Sequence, residues 1–197
     1  MQAGPETFRS SGTLVFGAIS AAVSLGLAVL TAVHPDVGAP AWVPAALVLL
    51  TVGVYVAQIR PAVLMEESEL VLRNMLHSVH LPWAAIEQVR IQQFLVVRAG
   101  GRDYSCAAVG RTRRQIRRDG PAATTPGTHD LDGSFSYGRL VEGRIDDRAK
   151  EARKRQGIAA ESPEQSALAE GVRVVRAWPE TIVLALAALA LVVAILV

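Results

Sequence analysis

The sequence predicts a membrane protein of mixed class: α-helical spans joined to a small cytoplasmic α+β domain, an antiparallel meander followed by a C-terminal helix. Three observations predict it. The chain of 197 residues holds three uncharged apolar runs of sixteen to twenty residues, close to the length that crosses a hydrocarbon core. Its mean hydropathy of +0.31, with 51% apolar and only 19% charged residues, is high for a water-soluble domain. Between the second and third runs the pattern breaks into short alternating pieces and then shifts to a helical period.

Residues 1–13 read as a cytoplasmic tail carrying Arg9. The first span is placed at 14–33, twenty residues from Leu14 to Val33 without a charge, or roughly 30 Å of helix. The second is placed at 42–58 and is opened by Pro44 near its first turn, where a missing N–H costs little. The third is placed at 179–197, opened by Trp178-Pro179-Glu180 and uncharged from Thr181 to Val197. A sixteen-residue apolar run is also what a buried helix of a soluble core looks like. Three such runs, however, would need more covering protein than the middle of this chain supplies. A secretory signal is the other alternative for the first run, with Ala39-Pro40-Ala41 as a cleavage-like site. The stretch is long for a signal core and a second span follows at once, so no cleavage is expected.

Orientation follows from basic residues near the span ends. The link His34–Ala41 has no Lys or Arg, whereas Arg60–Arg176 holds nineteen of the twenty basic residues. The expected topology is a multi-pass protein of the plasma membrane with the N-terminus and middle segment in the cytoplasm and Val197 at the outer face. The short link makes spans one and two antiparallel neighbours. Trp42 and Trp178 fall where indoles favour the interface. Small residues recur four apart on the first span (Gly17 and Ala21, Ala18 and Ala22, Ser20 and Ser24, Ala22 and Gly26). They offer a face for close helix packing and a route to a homo-oligomer, although an Ala-rich span yields such pairs by chance. The absence of acidic, basic and His residues within the three uncharged runs argues against a proton relay or ion path.

The middle domain is placed at 59–157. Strands are expected at Ala62–Met65, Leu70–Arg73, Leu76–Leu81, Glu87–Gln92, Phe94–Arg98 and Arg102–Val109, with turns at Glu66-Glu67-Ser68, Asn74 and Gly100-Gly101. Short links make an antiparallel meander the economical topology. Arg111–Phe135 is rich in Gly, Pro, Thr and Asp and reads as a loop insertion at 111–135. Val141, Ile145, Ala149 and Ala152 recur at helical spacing, with Ser136 as cap and Gly157 as stop. This helix has a thin apolar face suited to capping its own sheet, the alternative being a docked partner. Residues 158–178 read as a linker.

Within the meander, Leu76-His77-Ser78-Val79-His80-Leu81-Pro82-Trp83-Ala84-Ala85-Ile86 resembles the bacterial PH-like domains, whose strand crossing often reads Pro-Trp-x-x-Ile, here Pro82, Trp83 and Ile86. Spans before the domain, a helix after it and Arg176-Ala177-Trp178-Pro179-Glu180 opening a last span are similar to small actinobacterial membrane proteins that carry such a domain. The resemblance implies a curved antiparallel sheet closed by a C-terminal helix and used for binding rather than catalysis. The hairpin that holds basic residues in phosphoinositide-binding relatives carries Glu66, Glu67 and Glu69 here. Three carboxylates repel a phosphorylated headgroup, so that role is not carried over.

Residues that could carry chemistry are few. His77 and His80, three apart on a strand, point to opposite faces and do not suit a shared metal. The lone Cys106 excludes a disulfide framework and reads as a small buried hydrophobe. Trp83 reads as a core anchor, with ligand stacking the alternative. No P-loop, G-x-S-x-G, H-E-x-x-H or dinucleotide motif is present, so no enzyme activity and no cofactor is expected. Arg111, Arg113, Arg114, Arg117 and Arg118 form the one basic cluster. It is either a solvated loop obeying the positive-inside bias or a contact with the anionic inner leaflet, worth ~1 kcal/mol per residue near the surface. Aromatic residues are not interleaved with it, which excludes nucleic acid as the expected partner. The expected function is a non-enzymatic membrane protein presenting a PH-like module to a protein or lipid surface. The alternative is an accessory or assembly subunit of a larger envelope complex, with the spans making the specific contacts.

Overall fold

The computed structural model describes residues 6–9, 11–34, 36, 38–91, 93–109 and 137–196. The described residues form a mixed α+β chain with three apolar helices and two antiparallel sheets. By contact it divides into two compact units.

The helix unit comprises Ser10–Pro61, Asn74–Ser78 and Val175–Val197. Its helices are α1 (Ser11–Val33), α2 (Trp42–Val54) and α5 (Trp178–Leu196). The last turn of α2 widens over Tyr55–Ile59, where Arg60 N–H donates to the Tyr55 carbonyl at 2.9 Å, the i→i+5 pattern of a π-turn. With that turn included, all three helices are long and apolar enough to cross a membrane, at 22, 18 and 19 residues. Helices α1 and α2 pack together, as their short link requires, and α2 packs on α5. The α1 face turned to α2 is built from small residues. A Cβ on Gly17 would lie 2.9 Å from Gln58 Cβ, and Ser24 Oγ lies 2.7 Å from Thr51 Oγ1. Large apolar side chains such as Phe16, Ile19, Val23, Leu186 and Leu189 point outward.

The sheet unit comprises the described residues of Met1–Arg9, Ala62–Arg73 and Val79–Val174. One sheet has the order β1 (Glu6–Phe8), β2 (Ala62–Met65), β3 (Glu69–Arg73), β4 (His77–Pro82), β8 (Arg173–Arg176). The second is β5 (Ile86–Ile91), β6 (Leu95–Ala99), β7 (Arg102–Cys106). The six expected strands are all present, within two or three residues at their ends. The single meander is corrected to two sheets, because Pro82 ends β4 and the chain turns through a 3₁₀ turn, Trp83–Ala85, before β5 begins. Proline cannot donate to a ladder, so the break falls where the sequence removes the N–H.

Helix α3 (Tyr137–Gln156) packs on the Trp83–Ala85 turn and β5. It buries Val141, Ile145 and Ala149, the stripe its spacing predicts, and it ends at Gly157 with φ +67°, the left-handed stop glycine permits. Ser136 and the 111–135 insertion lie outside the described residues. Two expectations are revised. The tail contributes β1, paired antiparallel with β2. The 158–178 linker contains helix α4 (Pro163–Leu168) and β8. The signal for α4 is a capping box, Ser162-Pro163-Glu164-Gln165, with Ser162 Oγ accepting from Gln165 N–H at 3.2 Å.

Candidate functional site

The Pro82-Trp83-x-x-Ile86 segment organises the core of the sheet unit. Trp83 is buried, its Nε1–H donates to the Glu66 carbonyl at 3.0 Å, and the Arg148 guanidinium lies over its ring at 5.7 Å. With both edge and face taken up by the chain, the indole is an anchor. Ile86 begins β5, and its register shifts between Ile86 and Gln88, a bulge that takes a carbonyl out of the ladder. The Ile86 carbonyl is satisfied from two sides, by Gln165 Nε2 at 2.9 Å and Arg153 Nη1 at 2.9 Å. Gln165 is fully buried and its Oε1 accepts from Glu161 N–H at 2.8 Å, so the buried amide is paired at both ends.

Two polar constellations stand out, one in each unit. In the sheet unit, Glu69 on β3 meets His80 on β4 and Arg173 on β8. His80 Nδ1 lies 2.7 Å from Glu69 Oε1, and Arg173 Nη2 donates to Glu69 Oε2 at 3.1 Å. Burial pushes the Glu69 carboxyl up, but the hydrogen bonds and charges of His80 and Arg173 outweigh it and hold the carboxyl below its ordinary value. Of the three carboxylates in the acidic hairpin, Glu69 is therefore engaged by its own chain. An open groove of about 390 Å³ elsewhere in this unit is lined by Glu87, Gln88, Arg98 and Glu161.

In the helix unit, the ends of two helices and a hairpin tip are tied by one arginine. Arg60 follows the π-turn of α2 directly. Its Nε donates to Glu180 Oε1 in the first turn of α5 at 2.7 Å, and its Nη1 donates to the Asn74 carbonyl. The Arg60 and Glu180 side chains are 10% and 22% exposed, sheltered enough for the charge-assisted bond to matter. The Ala177 N–H, one residue before α5, donates to the Leu76 carbonyl at 2.9 Å. Neither Arg60 nor Glu180 stood out in the sequence as a pair, because 120 residues separate them.

The remaining candidates fall as follows. His77 and His80 are engaged separately, His77 Nε2 lying 3.3 Å from Asn74 Nδ2. Among the described residues no three His, Cys, Asp or Glu side chains are grouped to hold a metal ion. Cys106 is buried, and burial pushes its thiol up to about 11, so little thiolate exists at neutral pH. Arg111, Arg113, Arg114, Arg117 and Arg118 lie outside the described residues. On α1, the small-residue face that includes Gly17 and Ser24 is turned to α2 of the same chain. No family model, curated protein or solved structure matches this chain.

Proposed function

We propose that the chain is a multi-pass protein of the plasma membrane whose three apolar helices span the bilayer and whose sheet unit is a PH-like binding module in the cytoplasm, without a catalytic role. One observation carries the reading. In the helix unit large apolar side chains such as Phe16, Ile19, Val23, Leu186, Leu189 and Ile195 are exposed, while Gly17 and Ser24 stand at the contacts between α1 and α2 and Ser24, Ala28 and Ala187 are among the few buried residues. That inversion is unfavourable in water and natural in lipid, where small residues let helices approach and large ones meet the solvent. The lengths of 22, 18 and 19 residues correspond to roughly 27–33 Å of helix, enough for the hydrocarbon core.

The PH-like part of the reading is supported by two antiparallel sheets joined through the Pro82-Trp83 crossing, with α3 packed on that crossing and on β5. The module presents the basic segment with Arg111, Arg113, Arg114, Arg117 and Arg118 to the anionic leaflet, and a protein surface is its other class of partner. Alkaline extraction of membranes tests the spans, and the protein stays in the pellet. Reversing the charges of Arg113, Arg114, Arg117 and Arg118 in protein reconstituted in nanodiscs tests the lipid contact. Protection of this segment from trypsin by anionic lipid is lost in the variant and, in the unmodified protein, is lost at high salt. Unchanged, salt-insensitive protection excludes the leaflet as partner. A stoichiometric protein retained through purification in mild detergent would instead favour the accessory-subunit reading.

A further inference from the structure

The β3–β4 hairpin closes on an unusual pair of residues. Asn74 N–H donates to the His77 carbonyl at 2.8 Å, which leaves Met75 and Leu76 at the tip. Hairpin tips in water favour Asn, Asp and Gly, which satisfy the turn and tolerate positive φ. Here the tip carries two large apolar side chains, neither with positive φ. They are 46% and 39% exposed, so the described residues leave a large part of both side chains uncovered.

The contacts of this tip point to what covers them. It belongs to the helix unit, not to the sheet from which its strands come. The Leu76 carbonyl accepts from Ala177 N–H, and Ala177 immediately precedes Trp178, the first residue of α5, whose side chain is 60% exposed. The Asn74 carbonyl accepts from Arg60, one residue past the apolar α2 segment, and Arg60 is also bonded to Glu180 in the first turn of α5. The tip is thus fixed by hydrogen bonds at the same end of two apolar helices, level with an exposed tryptophan. That end is where a bilayer meets water if the helices span it, and amphipathic indoles and basic side chains collect there.

We propose that the Asn74–Ser78 tip is a shallow membrane anchor, with Met75 and Leu76 inserted at the boundary between phospholipid headgroups and acyl chains beside Trp178. The occupant is the lipid of one leaflet, since the tip is hydrogen-bonded to the residue that precedes α5, and the first two turns of that helix leave Trp178, Ile182 and Val183 exposed. The inference rests on the reading of α2 and α5 as spans. Arg60 is then a positioning residue that holds the tip against the helix ends, and its guanidinium stays at the polar level, as membrane-flanking arginines do.

Single-cysteine reporters in the full chain reconstituted in phosphatidylcholine nanodiscs test this. Met75→Cys and Leu76→Cys carry an environment-sensitive bimane, with Glu67→Cys as a water-facing control and Leu186→Cys as a control on a span. The buried Cys106 stays unlabelled, so one label per chain verifies that the sheet unit is folded. Brominated lipid is expected to quench labels at positions 75 and 76 by about twofold, as suits a shallow depth, and to leave position 67 unaffected. If positions 75 and 76 respond only to aqueous iodide while 186 responds to brominated lipid, the anchor is excluded and the spans stand. If 186 also responds only to iodide, the spans and the anchor both fall. Hydroxyl-radical oxidation of the unmodified chain in nanodiscs provides a measurement without substitutions: Met75 is protected if the anchor holds and oxidised if it does not.

Discussion

In the sheet unit the fully buried side chains include Leu70, Leu72, Leu81, Ile86 and Ile145, whereas in the helix unit the few buried residues are mostly small, Ser24, Ala28 and Ala187 beside Val56, and leucines such as Leu25, Leu50, Leu186 and Leu189 are exposed. The first pattern is that of a core assembled by water, where large apolar groups gain most by leaving solvent. The second suits helices whose solvent is itself apolar, so that association draws on close packing and hydrogen bonds between small residues. If the helices span a bilayer as proposed, one chain follows two sets of rules, and the same kind of substitution should have different consequences in each.

The largest expected effect is in the water-built core. Trp83→Ala removes the indole between Glu66 and Arg148 and should cost about 3–5 kcal/mol, the usual range for truncating a core aromatic. Cys106 provides the readout, because a buried thiol raised to about 11 stays unmodified at pH 8 in the folded unit. Maleimide labelling of Cys106 should accelerate sharply in the variant, and labelling at the parent rate would mean that Trp83 is not the anchor. The sharpest contrast between the units comes next. Leu186→Asp places a charge on an outward-facing position near the middle of α5. An exposed Leu→Asp change in water is close to neutral, but at the centre of a span Asp costs ~2.5–3.5 kcal/mol of insertion free energy. Loss of membrane integration is expected, and integration at parent levels would remove the basis for treating the units differently.

The next effect concerns the network that ties the helix ends. Glu180→Ala leaves the sheltered Arg60 guanidinium without its carboxylate and should cost about 1.5–3 kcal/mol, the range for a hydrogen bond to a charged group. Thermal unfolding in nanodiscs measures it. Glu180→Gln, which still offers an oxygen to Arg60 Nε, is expected to recover part of the loss.

The legibility of these features in the sequence follows the range of the interactions. The helices and the α3 stripe of Val141, Ile145 and Ala149 were readable because period and length are local. The strands β2 to β7 were readable from short apolar pieces between turn residues. Leu70, Val71 and Leu72 are all buried, a run covered on both faces, so alternation alone would have missed β3. Strand β1 has only three residues and all four residues of β8 are exposed, so neither carries an apolar pattern of its own, and only pairing with distant partners makes them strands. The same holds for the polar constellations. Glu69 reads as part of an acidic hairpin until Arg173, 104 residues away, is brought beside it. The capping box at Ser162–Gln165 is the exception, a local signal that was present in the linker.

The Glu69 cluster gives a smaller effect with a defined pH sign. A carboxyl held low in the folded state contributes stability that is present above its unfolded value and lost as pH falls through the folded one. Melting temperature should therefore decline on acidification below about pH 4, with Arg173 and His80 as the groups facing the carboxyl. Glu69→Gln should lower the melting temperature at pH 7 and flatten the acid limb. An acid limb of unchanged steepness in the variant would assign it to other carboxylates.

The smallest effect is the most informative about the helix unit, because there the energetic scale itself is at stake. Ser24 Oγ and Thr51 Oγ1 lie 2.7 Å apart across α1 and α2, and each also lies within hydrogen-bond reach of a carbonyl on its own helix, Ser20 at 2.9 Å and Leu47 at 2.8 Å, so that one hydroxyl donates across the helices while the other donates to its own. Removing one hydroxyl thus leaves the other with a partner, so no orphaned polar group inflates the cost. A double-mutant cycle of Ser24→Ala and Thr51→Ala, read from unfolding in bicelles, should give a coupling of about 0.6 kcal/mol, the average for interhelical hydrogen bonds in lipid. Ser24→Leu should do more damage than either alanine, since the added side chain must enter the contact where the two hydroxyls now meet. If Ser24→Leu instead stabilises the protein, α1 and α2 are held by burial of large apolar groups as the sheet unit is, and the two units obey one rule after all.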